Sequence, residues 1–144
     1  MSAPEQAALY WDSSAVLSAL FQDRYSGRAT AAARRAGLHL LSTLAWAEVH
    51  AVIARVERER ALAGILVNAA REALELGPWR RVNISPDWRL LRDLAQKWAL
   101  PGADLWHLGA AKTLQPELPD LSVLSFAAAL TAAARGEGLG PAPA

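Results

Sequence analysis

The chain of 144 residues contains no cysteine, which excludes both a disulfide framework and a thiolate metal site. Lysine is scarce: Lys97 and Lys112 stand alone among thirteen arginines. Arginine forks onto phosphates and stacks on bases, which suits RNA, but an Arg- and Ala-rich composition also follows from GC-rich coding or a hot habitat. Neither sign of charge is in excess, since 15 basic residues face 14 acidic ones for a net charge of +1, and no global basic field advertises a nucleic-acid binder. No apolar stretch approaches the roughly 20 residues of a membrane helix, and no basic leader precedes a short apolar run. A soluble, cytoplasmic protein with no membrane partner is expected. Phosphate-binding glycine loops are absent, with no G-x-G-x-x-G after a strand and no G-x-x-x-x-G-K-[ST], and there is no G-x-S-x-G nucleophile elbow. His39, His50 and His107 are scattered without metal-ligand spacing; His107 lies in an apolar helical stripe and reads as a packed core histidine. Carboxylates remain as the main carriers of chemistry.

What is present is core material: 53% hydrophobic against 20% charged residues, in a chain long enough to bury a core without staples. Ala8–Trp11, Leu38–Leu41, Arg81–Ile84 and Leu121–Phe126 read as strands. Helices are predicted over Ala15–Phe21, Arg24–Ala36, Leu44 to about Glu57, Ala61–Leu76, Ser85-Pro86-Asp87 to about Leu100, Leu105–Leu114 and Ala127–Arg135. Pro86 is placed in the first turn of its helix. Strands separated by helices imply one three-layer α/β/α domain with a central parallel sheet. Its core spans about residues 8–135, and a Gly/Pro tail from Gly136 to Ala144 is read as frayed. Ligands of such folds bind beyond the carboxyl ends of the strands, where Asp12 falls.

Most acids look solvated. Glu57 and Glu59 lie among Arg55, Arg58 and Arg60, and Glu72 and Glu75 sit on an exposed helical face. Three differ because their neighbours are apolar: Asp12 in YWDSSAVL, Glu48 in STLAWAEVHAVIAR and Asp104 in LPGADLWHLGAA. A buried carboxylate is costly unless paired, hydrogen-bonded or bound to a cation. The three could share one Mg²⁺ or Mn²⁺; equally, Asp12 and Asp104 could cap helices and Glu48 could flank a half-exposed surface.

The frames resemble the PIN-domain family, particularly the VapC-like toxin ribonucleases of bacterial toxin–antitoxin pairs. Its opening pattern, an apolar strand and Asp-[Ser/Thr]-Ser, is matched by Tyr10-Trp11-Asp12-Ser13-Ser14. Its second block, a Ser followed by apolar-Ala-Glu and an apolar helix ending in Arg, is matched from Ser42 through Glu48 to Arg55. Its third, Ala-Asp-Ala-Leu-His-Leu-Ala, is echoed by Ala103-Asp104-Leu105-Trp106-His107-Leu108-Gly109. Order and spacing agree from about Leu9 to Arg135. The resemblance implies a Rossmann-like PIN topology and a hydrolase that cuts RNA with Mg²⁺ or Mn²⁺ held by Asp12, Glu48 and Asp104. In that reading these acids are also the catalytic residues, Ser14 and Ser125 support them, and the protein is a homodimer with an antitoxin partner.

One position departs from the pattern. The last core strand of the family commonly ends in [Thr/Ser]-Phe-Asp, whereas this chain has Ser125-Phe126-Ala127. Asp120 precedes the same strand, about six residues and roughly 20 Å from the needed end. Glu137 could reach the site only if the tail folds back. A weakened or one-metal nuclease is therefore expected, with a binding or regulatory module lacking catalysis as the alternative. Trp46, Trp106 and Trp11 are each set to point away from the neighbouring acid, into the core or onto a partner surface. The pairs Arg34 and Arg35, Arg55 and Arg58, and Arg80 and Arg81 are candidate phosphate contacts or surface ion pairs.

Overall fold

Four short strands, β1 (Ala8–Trp11), β2 (Leu38–Ser42), β3 (Trp79–Val82) and β4 (Ser122–Leu124), form a parallel sheet in the order β3-β2-β1-β4. The computed structural model describes residues 7–140. Seven helices cover the sheet among the described residues: α1 (Ser13–Leu20), α2 (Ser26–Ala33), α3 (Thr43–Arg58), α4 (Gly64–Leu76), α5 (Trp88–Lys97), α6 (Gly102–Leu114) and α7 (Ala128–Gly136). The three-layer α/β/α arrangement expected from the sequence is thus present. None of these helices is long and apolar enough to cross a membrane.

Alternation along β1 divides the core. Ala8 and Tyr10 pack with α5, α6 and α7, while Leu9 and Trp11 pack with α1 to α4. Both faces are covered, so every residue of β1 is buried and the strand reads as an unbroken apolar run. Trp11 sits edge-on to Trp79, with ring centroids 5.3 Å apart, and its Nε1–H donates to His39 Nδ1 at 3.0 Å.

Several boundaries differ from expectation for physical reasons. β3 begins at Trp79, two residues before the predicted start, because the Trp79 ring packs on Trp11 and pairs in register with His39. β3 is an edge strand, so its exposed Arg80 and Arg81 break the apolar pattern. β4 ends at Leu124, since the Ser125 side chain turns to a different partner, described below. α5 starts only at Trp88, capped by the Asp87 carboxylate on the Arg89 and Leu90 amides. Pro86 therefore lies outside the helix, against Gly109 of α6, where a side chain on that glycine would collide with Leu91.

The tail departs most from expectation. Residues 137–140 are folded onto the domain: Leu139 is fully buried, and its carbonyl accepts from Val123 N at 2.8 Å. Glu137 accepts from Lys97 Nζ at 2.8 Å and Trp98 Nε1 at 2.9 Å. This turn covers the outer edge of β4, the exposed-edge liability of any open sheet. Residues 141–144 of the predicted frayed tail lie outside the described residues. Leu139→Ala is expected to cost about 2–4 kcal/mol and to lower the melting temperature by about 6–12 °C, which thermal unfolding by circular dichroism would register.

Candidate functional site

Trp11 pairs with Leu41 on one side and Leu124 on the other. The next residues, Asp12, Ser42 and Ser125, consequently stand in a row where the strands end. All three are buried. Asp12 carries out the helix-capping role that its sequence context allows: Oδ1 accepts from the Ala15 amide at 2.9 Å and from Ser14 Oγ at 2.7 Å. Oδ2 accepts from Ser125 Oγ at 2.5 Å. The hydroxyls are themselves held, Ser14 Oγ by the Phe126 amide at 3.1 Å and Ser125 Oγ by the Ala127 amide at 3.0 Å. Both supporting serines named from the sequence thus touch Asp12.

Three donors occupy part of a carboxylate's roughly four lone-pair positions, leaving room for one further partner. No lysine or arginine among the described residues pairs with Asp12. Burial raises its pKa, an effect opposed by the hydrogen bonds from Ser125, Ala15 and Ser14 and by the neighbouring His107. The group is a capped carboxylate held in a setting that disfavours its charge.

Glu48 lies in the second turn of α3, whose start is fixed by the Ser42 hydroxyl on the Ala45 amide at 3.1 Å. Asp104 lies in the first turn of α6. Between them stands His107, three residues past Asp104 and so on the same helical face. His107 is buried as expected, but it is not merely packed. Its Nε2 meets Glu48 Oε1 at 2.8 Å and its Nδ1 meets the Tyr10 hydroxyl at 2.6 Å. A carboxylate only accepts, so Nε2–H donates to Glu48, and Nδ1 accepts the Tyr10 O–H; this tautomer is assigned from the pattern of partners. Burial pushes the Tyr10 hydroxyl pKa well up, opposed by the Ser42 hydroxyl and reinforced by the charges of Asp12 and Glu48. Asp104 is half-buried, and burial raises its pKa; the nearby His107 opposes the rise and Glu48 adds to it.

The three predicted acids therefore gather around one imidazole at one rim of the sheet. They do not stand as a finished cage: among the described residues, no three His, Asp or Glu side chains are arranged to hold a metal ion. Glu48 and Asp104 are both partly exposed and could turn toward Asp12. The donor chemistry, hard carboxylate oxygens beside hydroxyls, is that preferred by Mg²⁺ and Mn²⁺.

Ala127 is the N-cap residue of α7 at this same rim, with no side chain to cap the helix. Neither substitute acid reaches the gap. Asp120 precedes β4 at its amino end. Glu137 does fold back, but onto Lys97 and Lys112, and Lys112 is eight residues, about 12 Å, along α6 from Asp104.

Two of the three arginine pairs predicted to meet phosphate are not at this rim. Arg34 and Arg35 lie at the amino end of β2, where the Arg35 carbonyl bonds His39 Nε2 at 2.9 Å. Arg55 and Arg58 lie about 10 and 15 Å along α3 from Glu48. Arg81, in register with Leu41 and so one residue short of the rim, pairs with Glu75 at 2.6 Å and covers the Trp46 ring at 4.2 Å. Sequence reasoning missed the Tyr10–His107–Glu48 chain; Tyr10 lies two residues before Asp12 and His107 three after Asp104, and those spacings were the available signal. No protein-family model matches the chain, and no curated protein matches it.

Proposed function

We propose that the protein is a divalent-metal-dependent endoribonuclease of PIN type, the cytoplasmic toxin of a toxin–antitoxin pair, with one Mg²⁺ or Mn²⁺ in place of two. The observation that carries this reading is the gathering of Asp12, Glu48 and Asp104 at one strand-end rim, with no arginine or lysine paired to any of them among the described residues. Two of these carboxylates are disfavoured as anions by burial, and a cation is the partner that would reverse that penalty.

Asp12 would hold the ion with its remaining lone pair, and Glu48 and Asp104 would hold it directly or through water. When bound, such an ion supplies a water of lowered pKa and Lewis acidity toward a phosphodiester. Ser14 and Ser125 fix the direction of the Asp12 carboxylate, and His107 orients Glu48 in the way outer partners orient metal-binding groups. The unengaged oxygens of Glu48 and Asp104 are the available acceptors for a proton from the attacking water.

A second reading, a PIN-fold binding or regulatory module without catalysis, is favoured by Ala127 and by the occupation of one Glu48 oxygen by His107. Homodimerisation and an antitoxin partner belong to the first reading, and exposed Ile65, Leu66 and Leu76 on α4 offer apolar surface for such partners.

Calorimetric titration with Mn²⁺, paired with cleavage assays on structured RNAs, separates the two. The nuclease reading expects Asp12-dependent Mn²⁺ binding and metal-dependent cleavage; absence of both would leave the binding module. Ala127→Asp is expected to help twice. An acid at this N-cap stabilises α7 by about 1 kcal/mol, and a fourth carboxylate at the rim tightens Mn²⁺ binding by about tenfold, the effect of about 1.4 kcal/mol. A melting temperature that rises without any gain in Mn²⁺ affinity would place residue 127 outside the metal site.

A further inference from the structure

One residue past Ser125, the partner of Asp12, two aromatic rings lie flat against each other. Tyr25 and Phe126 stack with centroids 4.5 Å apart and an interplanar angle of 4°. Arg24 covers the Tyr25 ring at 4.7 Å and Arg28 approaches the Phe126 ring at 5.2 Å. Both arginines are exposed, and neither is paired with a carboxylate among the described residues. Phe126 is joined to the candidate site through its own backbone, which donates to Ser14, the serine on Asp12 Oδ1.

The corner that presents Tyr25 is built to be rigid. Asp23 accepts from the Ser18 hydroxyl and the Tyr25 amide, each at 2.8 Å, and the Ser26 hydroxyl donates to the Phe21 carbonyl at 2.7 Å. Next to the stack, Arg28 and Arg135 line a crevice of about 40 Å³ that also includes Ser125 and Thr131. Guanidinium groups and aromatic faces on a stiff corner, one residue from a candidate hydrolytic site, match the two demands of a flexible polyanion with flat bases: phosphate neutralisation and stacking. A pre-ordered corner also lowers the entropy lost on binding.

We propose that Arg24, Tyr25, Arg28 and Phe126 form a platform for single-stranded RNA, which leads the strand past Asp12 as the two exposed guanidinium groups swing off the rings onto its phosphates and a base takes their place against the aromatic pair. The choice of RNA as the polyanion rests on the ribonuclease reading; the stacked, basic platform does not. Arg135 extends the same basic wall along α7.

Binding of a short fluorescein-labelled single-stranded RNA, followed by anisotropy in EDTA over a salt series, tests this without cleavage. Arg24→Gln combined with Arg28→Gln is expected to weaken binding and to reduce the slope of log affinity against log salt by roughly 1.4, two contacts at about 0.7 each. Phe126→Leu is expected to weaken binding by roughly 5- to 100-fold, and Phe126→Tyr, which keeps a ring there, to retain it. Arg58→Gln, at the far end of α3, serves as the control for general charge. The platform is overturned if the double variant keeps the wild-type slope, or if Arg58→Gln lowers affinity as much as either platform change. Mn²⁺ titration of the same variants keeps the two proposals apart. Platform-dependent RNA binding without Mn²⁺ binding retains the platform and discards the nuclease; Mn²⁺-dependent cleavage with RNA binding indifferent to these variants does the reverse.

Discussion

Asp12→Asn is expected to remove Mn²⁺ binding and to lower RNA cleavage by at least about 10²-fold, the scale of losing one preorganised electrostatic group, while leaving the protein at least as stable at pH 7. The second half of that result is the discriminating one. Asparagine is as good an N-cap as aspartate, and its amide oxygen can take over the bonds from Ala15 N and Ser14 Oγ. Its NH₂ then faces Ser125 Oγ, whose hydrogen can rotate away. What the substitution removes is the buried charge.

The sign follows from the raised pKa of Asp12. An acid whose pKa is higher folded than unfolded binds more protons in the native state, so stability falls as pH rises from the ordinary aspartate value, about 3.9, through the raised one. Ionising the group above that raised value is therefore a net liability, and the variant is relieved of it. In acid, where both chains carry a neutral side chain, the difference should vanish. Thermal melts of the two proteins between pH 3 and pH 7 read this directly. A variant that melts well below wild type at pH 7 and still cleaves RNA would make Asp12 a helix cap and nothing more.

The strand ends were legible because parallel strands buried on both faces are short apolar runs, and Ala8–Trp11 and Leu38–Leu41 are such runs. Asp12, Ser14, Glu48, Asp104 and Ser125 could be named because a polar residue that interrupts an apolar frame at a strand end is informative. What the same reasoning could not see depends on tertiary geometry. The Tyr10–His107 and His107–Glu48 bonds join residues 97 and 59 positions apart, and no local periodicity encodes them. Leu139 is a single apolar residue in a Gly- and Pro-rich segment, so composition concealed its burial against β4. Arg24 and Arg28 were absorbed into a predicted helix over Arg24–Ala36; in the fold Arg24 precedes α2, and Asp23 fixes that corner.

His107→Leu tests whether the imidazole is a structural group, a positioning group, or both. The side chain is 1% exposed, so leucine of similar volume fills the space but leaves the fully buried Tyr10 O–H without its 2.6 Å acceptor, with the Ser42 hydroxyl beside it. An orphaned buried hydroxyl costs about 1–3 kcal/mol, whereas Glu48 is partly exposed and can turn to water. We expect His107→Leu to lose about 2–3 kcal/mol and Tyr10→Phe about 1–2. The double variant Tyr10→Phe/His107→Leu should lose less than the sum by about 1–2 kcal/mol, because no polar atom is then stranded. Denaturant unfolding of the four proteins closes this cycle. The second readout is Mn²⁺ affinity: a histidine that orients Glu48 should weaken binding by about 10-fold or more on removal, as outer partners of metal-binding groups do. Tyr10→Phe, which keeps the imidazole on Glu48, should change that affinity far less. Additive stability losses together with unchanged Mn²⁺ affinity in His107→Leu would show that the imidazole neither couples Tyr10 to Glu48 nor serves the ion, and the one-metal site would lose the side chain that, among the described residues, is hydrogen-bonded to Glu48.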